Sequence, residues 1–311
     1  MKIVFLDANS IGKDIDLSKY HKLGEFITYG HSTAEQIPER VSDADIVITN
    51  KCQINEQSIG NAHKLKLVCV TATGTNNLDK EYLAKRGIEW RNVAGYSTES
   101  VAQHTFAMLF YLLEKLSYYD AYVKDGKYAK DTSFTHFAEH FCEISGKTWG
   151  IIGLGAIGRR VADIAKAFGV NVIYYSTSGK NHQEDYTRVD LDTLLRTADI
   201  VSVHAPLTPE TENLMNADAF AKMKSTAIFL NVGRGNIVVE QDLLDALKEN
   251  IIAAAGLDVL CEESMNPGNP LLPFKDSKRL LITPHIAWAS VEARNRLMDM
   301  IYEQIRDFCS L

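Results

Sequence analysis

Short apolar runs recur along the first hundred residues, at Ile3 to Leu6, Ile46 to Thr49, Leu67 to Thr71 and Ile88 to Arg91, with mixed polar, helix-compatible sequence between them. That rhythm predicts βαβ units and a small parallel sheet, because a strand covered on both faces reads as an unbroken apolar run. A helical pattern then takes over. Ala107, Leu109, Phe110, Leu112 and Leu113 populate a wide apolar face, so Thr98 to Tyr119 is predicted as one long helix, with Ser100 and Gln103 at capping-box spacing.

The strand rhythm resumes near Thr148. Ile151-Ile152 run into Gly153-Leu154-Gly155-Ala156-Ile157-Gly158, then Ala162, Ile164, Ala165 and Phe168 keep helical spacing, and Val170 to Tyr175 supplies a return strand ending before Ser176. Such a glycine pattern carries weight only between a strand and a helix, and both are present. Gly153 permits the tight turn, Gly155 lets the backbone approach a pyrophosphate, and Gly158 lets the helix pack close. The amides at the helix start, Ala156 and Ile157 among them, then face the phosphates of a dinucleotide. Further strands are predicted at Ile200 to His204, Ala227 to Val232, Ile252 to Val259 and Leu280 to Thr283, with a helix at Leu243 to Lys248.

The last segment, Ser290 to Phe308, has Val291, Leu297, Met298, Ile301 and Ile305 at helical spacing and is predicted to return to the first domain. The fold class expected is α/β, with two doubly wound parallel-sheet domains. One is a Rossmann dinucleotide-binding domain at 98–287; the other is a smaller, flavodoxin-like substrate domain made discontinuously from 1–97 plus 288–311.

Composition narrows the function. A chain of 311 residues suits two domains, and 46% hydrophobic with 23% charged residues is the balance of a globular protein. A net charge of -7 without a clustered basic face argues against nucleic acid or an anionic membrane as partner. The run at Met1 to Asp7 is too short for a signal peptide and reads as a first buried strand. No run approaches a membrane span. The cysteines at 52, 69, 142, 261 and 309 are odd in number and form no CxxC pair, so reduced thiols and a cytoplasmic location are expected. No metal is expected.

Three polar residues fall just beyond strand ends of the larger sheet, where open α/β folds place ligands: Arg234 in Asn231-Val-Gly-Arg-Gly235, Glu263, and His285 in Thr283-Pro-His-Ile-Ala-Trp288. A guanidinium can grip a carboxylate bidentately and polarise a neighbouring carbonyl. An imidazole can give or take the proton that moves when a carbonyl becomes an alcohol, and a carboxylate beside it favours its charged form. Taken singly each has a plain reading, as a surface cation, a solvated acid or a satisfied loop histidine. Together, beside a dinucleotide site, they favour hydride transfer to a 2-oxo acid.

Over essentially its whole length the chain resembles the D-isomer-specific 2-hydroxyacid dehydrogenase family. The spacing of Arg234, Glu263 and His285 matches that family's triad, and so do the blocks Ala72 to Asp79, His204 to Thr211 and Asn231 to Gly235. Asn92 to Phe106 is most similar to the glycerate dehydrogenase or hydroxypyruvate reductase branch. The resemblance implies catalytic roles: His285 protonates the nascent alkoxide, Glu263 holds His285 charged, and Arg234 binds the substrate carboxylate and carbonyl. It also implies substrate contacts at Thr73, Gly74 and Tyr96. Cofactor contacts are implied at Gly153, Gly155, Ala156, Ile157, Gly158, Ser176, Thr177, Ser178, Lys180, His204, Ala205, Pro206, Thr211, Val232, Gly233, Arg234, Asp258 and His285.

Two departures stand out. Ser264 follows the glutamate where the family usually has proline, and Ser176 occupies the position that carries aspartate in NAD-dependent members. Ser176-Thr177-Ser178-Gly179-Lys180 offers hydroxyls and a cation instead of an acid, so the expected cofactor is NAD(P), with NADP(H) slightly favoured over NAD(H). The expected substrate is small and polar, hydroxypyruvate or glyoxylate, because Thr71, Thr73, Thr75, Asn76 and Asn77 make the first-domain loop polar. The resemblance implies a homodimer that pairs through the long helix and the arm from Ala121 to Phe141, an arm rich in aromatics for a connecting segment, whose alternative use is packing within the chain. The rival readings are a dehydrogenase for pyruvate or for branched or aromatic 2-oxo acids, and a non-enzymatic NAD(H) sensor. Formate or phosphoglycerate as substrate fits less well, given Glu263 and a loop from Thr71 to Asp79 without cations.

Overall fold

The computed structural model describes residues 1–180 and 185–310, and two compact units emerge. The first comprises Met1–Ser97 and Trp288–Leu311. Its strands are β1 (Lys2–Phe5), β2 (Glu25–Thr28), β3 (Ile46–Thr49), β4 (Leu67–Val70) and β5 (Glu89–Asn92), all paired in parallel in the order β2-β1-β3-β4-β5. Helices α1 (Ile37–Val41), α2 (Glu56–Ile59) and α3 (Lys80–Arg86) lie between strands. Alternate residues of each strand serve opposite faces. Val4, Val47 and Val68 pack with Ile37, Val41, Ile59 and Leu83. Ile3, Phe5, Ile46, Ile48, Leu67 and Cys69 pack with Leu297, Met298, Ile301 and Ile305 of the C-terminal helix, Val291–Phe308. Strand order 2-1-3-4-5 is the flavodoxin-like arrangement, whose order reverses between β1 and β3.

The second unit, Thr98–Ala287, opens with α4 (Thr98–Leu113) and α5 (Leu116–Lys124). There follow β6 (Thr148–Ile152), α6 (Ala156–Ala167), β7 (Asn171–Tyr175), β8 (Thr187–Arg188), α7 (Leu191–Thr197) and β9 (Ile200–Val203). The unit ends with α8 (Ala217–Ala221), β10 (Ile228–Asn231), α9 (Glu240–Lys248), β11 (Ala254–Leu257) and β12 (Leu280–Ile282). The sheet is parallel throughout, in the order β12-β11-β10-β9-β6-β7-β8. Its strand order reverses at β6, between β9 and β7, where doubly wound sheets open a crevice at the carboxyl ends of the strands. One face packs against α4 and α6 through Phe106, Leu109, Trp149, Val161 and Tyr174. The other packs against α7 to α9 through Leu194, Phe220, Leu243 and Leu247.

Three expectations are corrected. The long helix is two helices: Lys115 adopts φ 55, ending α4, and its half-buried ammonium donates to the Lys278 carbonyl. No glycine or proline marks that break, so tertiary contact decides it. Ser100 lies inside α4 and its hydroxyl donates to the Ala287 carbonyl at 2.6 Å, so it serves as a tie to the segment after β12 and not as a cap. Two strands had not been anticipated, β2 with its mixed Glu-Phe-Ile-Thr pattern and the two-residue β8, while the predicted strands are shorter at their ends. All five cysteines are free thiols, and among the described residues no helix is long and apolar enough to cross a membrane.

Candidate active site

Across the second sheet, the carboxyl ends of consecutive strands carry the candidate residues in a row. His285 follows β12, Asp258 and Glu263 follow β11, Val232 to Arg234 follow β10, His204 to Pro206 follow β9, the glycine turn follows β6, and Ser176 follows β7.

The glycine turn can be tested for what it is built to hold. Gly153 has φ 91, and a Cβ there would sit 2.8 Å from the Ala205 backbone; a Cβ on Gly158 would sit 2.3 Å from the Gly153 carbonyl. Both are therefore demanded by the chain's own packing. Gly155 is different. Its φ of -81° and ψ of -161° suit any residue, and a Cβ there would meet open space. What excludes a side chain at Gly155 lies outside the polypeptide, as a pyrophosphate drawn close to the backbone would. The helix behind it, α6, has no side-chain N-cap and no acid in its first turn, so its amides are available to an anion.

Two buried polar atoms flank the turn without a partner among the described residues, Ser176 Oγ beyond β7 and His204 Nδ1 beyond β9. Trp149 Nε1 donates to Ser202 Oγ at 2.8 Å, and Ser202 Oγ lies 2.9 Å from His204 Nε2. The indole can only donate, so Ser202 Oγ accepts from it, and the same hydroxyl can give its proton to Nε2 or accept one from it. Burial pushes the His204 imidazolium down to about 3, so the ring is neutral at any working pH. A buried hydroxyl and a buried ring nitrogen without a partner among the described residues, on either side of the glycine turn, fit the ribose and phosphate oxygens of a dinucleotide.

At the other end of the row, His285 Nδ1 lies 2.7 Å from Glu263 Oε2, with both side chains about one-third exposed (28% and 33%). Nδ1 is committed to the carboxylate, so Nε2 is the nitrogen that can exchange a proton with a ligand. Arg234 donates Nη1 to the Gly233 carbonyl at 2.8 Å, while Asn231 braces its turn by accepting from Gly233 N and donating to the Arg234 carbonyl. Gly235 brings the arginine and glutamate loops together, since a Cβ there would fall 1.9 Å from the Leu260 carbonyl oxygen. The Glu263 loop is tied down by Glu240, which accepts from Cys261 N at 2.9 Å and from Asn269 Nδ2 at 2.7 Å. Ser264, in the place of the family's proline, follows a cis peptide bond.

Asp258 is 1% exposed and accepts from Thr283 Oγ1, Ile286 N and Ala287 N, so most of its acceptor capacity serves the His285 loop. Thr211 is fully buried, with its hydroxyl bonded to Thr208 N and the Pro206 carbonyl, and it shapes the loop carrying His204 to Pro206. The Ser176–Lys180 segment forms a turn closed by Gly179 N to the Ser176 carbonyl. Arg188 of β8 donates to the Gly179 carbonyl at 3.0 Å.

In the first unit, Thr73 donates its hydroxyl to the Val93 carbonyl and accepts from Asn92 at its own carbonyl, and neither bond uses the Thr73 or Gly74 amide. Tyr96 is 6% exposed, edge-on to Trp288 within the apolar layer. The sequence marks Asn231 and Gly235 only as the ends of a matching block, and it does not mark Glu240 or Arg188. The Arg-Gly dipeptide could have signalled Gly235, whereas a two-residue strand leaves no pattern that would flag Arg188.

The family model described as D-isomer specific 2-hydroxyacid dehydrogenase, NAD binding domain, matches residues 106–287. The chain belongs to that family. It is similar to the hydroxypyruvate reductase of Blautia hydrogenotrophica, at 38% identity over 315 residues covering 99% of this chain and 97% of the relative. The glycerate dehydrogenase of Methylorubrum extorquens is 35% identical over 308 residues, covering 99% and 96%. Among solved structures, an acyclic imino acid reductase in complex with NADPH and D-Arg matches with a TM-score of 0.87 at 31% identity, covering 100% of this chain and 97% of that one. As a D-2-hydroxyacid dehydrogenase family member, the chain is an NAD(P)-dependent oxidoreductase acting on 2-oxo acids.

Proposed function

We propose that the chain reduces hydroxypyruvate and glyoxylate to D-glycerate and glycolate, using NADPH at least as well as NADH, as a cytoplasmic homodimer. The observation that carries the chemistry is the 2.7 Å contact between His285 Nδ1 and Glu263 Oε2, one loop from Arg234. When bound, the dinucleotide supplies the hydride that adds to C2 of the substrate. The carbonyl electron pair then ends on oxygen, which takes the proton held at His285 Nε2, and solvent restores the proton to the ring. Arg234 binds the carboxylate and polarises the carbonyl, and Glu263 stabilises the imidazolium and fixes the ring's tautomer. The Thr73 and Gly74 amides are proposed as further carboxylate donors, and Tyr96 as a further substrate contact.

A polar substrate is supported by Thr73, Thr75 and Asn76, the polar residues of that loop that reach its surface; Thr71 and Asn77 are buried and brace the loop from within. The names of the relatives at 38% and 35% identity point the same way. NADPH use is supported by Ser176 in place of an acid and by Lys180 at the end of the same turn. The five free thiols support a reducing compartment. The dimer is supported by Phe134, Phe137 and Phe141, which are 90%, 77% and 58% exposed on the arm, while Tyr122 and His136 of the same segment stack on each other. The test is an NADPH and NADH oxidation screen with hydroxypyruvate, glyoxylate, pyruvate and 4-methyl-2-oxopentanoate. A site that bonds the C3 hydroxyl ranks hydroxypyruvate above pyruvate and above the branched acid. Preference for the branched acid rejects the polar pocket, and cofactor binding without turnover leaves the sensor reading.

A further inference from the structure

We propose that His104, on α4, is a positioning residue for the proton donor, acting through Thr283 and Asp258 to hold His285 in its working conformation. This rests on the reading of His285 as the donor.

The hydrogen inventory of the relay has one solution. Thr283 Oγ1 lies 2.6 Å from Asp258 Oδ1, and an ionised carboxylate only accepts, so the single hydroxyl proton points at Asp258. The same oxygen lies 3.0 Å from His104 Nε2 and has no proton left for it. His104 therefore donates, with hydrogen on Nε2, which also sits 3.5 Å from Asp258 Oδ1.

At its far end the relay grips the catalytic loop. Asp258 Oδ1 accepts from Ile286 N at 2.9 Å and Oδ2 from Ala287 N at 2.8 Å, while the Asp258 carbonyl accepts from His285 N at 2.8 Å. Three successive amides thus converge on one aspartate. The loop needs that grip, because His285 has φ 55, a conformation a non-glycine residue keeps only where its surroundings over-determine it. Asp258 is 1% exposed, so a donor lost from its network is not replaced freely by water. With His104 gone, Thr283 Oγ1 loses the donor that fixes its rotamer, and the anchor nearest the turn loosens.

Two substitutions separate the donor from mere bulk. His104→Gln keeps an N–H near the reach of Nε2, whereas His104→Leu keeps volume and removes it. For His104→Leu, kcat with hydroxypyruvate is expected to fall by about 10- to 100-fold, the cost of a small misplacement of a catalytic group, with the NADPH Kd changed by less than about threefold. For His104→Gln, kcat stays within about threefold of wild type. In the ligand-free protein, the downfield proton signal of the His285 Nδ1 bond to Glu263 should survive in the glutamine variant and broaden or vanish in the leucine variant. Thr283→Val breaks the relay at its middle without changing a residue of α4 and should reproduce the leucine result, so a folding failure of His104→Leu leaves the proposal testable. Wild-type kcat in His104→Leu or Thr283→Val, or equal losses in the glutamine and leucine variants, overturns it. If wild type reduces none of the 2-oxo acids, the proposed activity fails, and the ligand-free spectra still decide the role of His104.

Discussion

Each unit buries one aspartate at the carboxyl end of a strand, and the two do different work with the same bonds. Asp7, beyond β1 and 7% exposed, accepts from Asn50 N, Lys51 N and Thr49 Oγ1. Asp258, beyond β11, accepts from Ile286 N, Ala287 N and Thr283 Oγ1. Two amides and one threonine hydroxyl satisfy a buried carboxylate in both places, so each loop is fixed by a charge that tolerates no loss of partners. In the first unit the held loop has ordinary backbone, and Asn50 passes the constraint on to the Thr71 carbonyl. In the second, the held loop contains His285 at φ 55, its ring 2.7 Å from Glu263. One device thus holds an ordinary loop in one unit and, in the other, the loop of the residue proposed as proton donor.

The sharpest break between them comes from the donor itself. His285→Ala should lower turnover by about 10²- to 10⁴-fold, the usual worth of a positioned acid, while NADPH affinity by fluorescence titration stays nearly unchanged. Next come the two aspartates. Asp7→Asn and Asp258→Asn should each cost about 1–3 kcal/mol in urea unfolding, because each turns an acceptor into a donor facing buried partners. Only Asp258→Asn should also lower kcat, by about tenfold or more at matched folded fraction. An equal effect on turnover from Asp7→Asn would erase the distinction.

Ser176→Asp should lower the NADPH-to-NADH ratio of kcat/KM by about tenfold, or 1.4 kcal/mol, by repelling a 2'-phosphate. No change in the ratio would place cofactor choice elsewhere. The smallest expected effect is at Glu240, whose carboxylate accepts from Cys261 N and Asn269 Nδ2. Glu240→Ala frees one end of the Glu263 loop and should reduce kcat by only about three- to tenfold, with the NADPH Kd unaffected.

Legibility followed how local each signal was. The Gly153 to Gly158 turn and the strands of the larger sheet stood out because buried parallel strands are continuous apolar runs and the turn's glycines lie within six residues. β2 escaped because its Glu-Phe-Ile-Thr pattern alternates at a sheet edge, and β8 because two residues carry no period. The candidate triad could be picked out because each member follows a strand end and the spacing resembles a known family. The network beneath it could not, since His104, Asp258 and Thr283 lie on α4, after β11 and after β12 and meet only in three dimensions. The Lys115 break was equally hidden, as nothing in Leu113-Glu114-Lys115-Leu116 disfavours a continuous helix.

The most direct test of the proposed chemistry is single-turnover reduction of hydroxypyruvate by NADPH in wild type and Glu263→Gln at one fixed pH. Glu263 Oε2 lies 2.7 Å from His285 Nδ1, and a carboxylate there stabilises the cationic ring of a proton donor where an uncharged amide does not. If His285 is that donor, turnover in Glu263→Gln is expected to fall by about tenfold or more, roughly 1.4 kcal/mol, with the NADPH Kd nearly unchanged. Wild-type turnover in Glu263→Gln would contradict the proposed role.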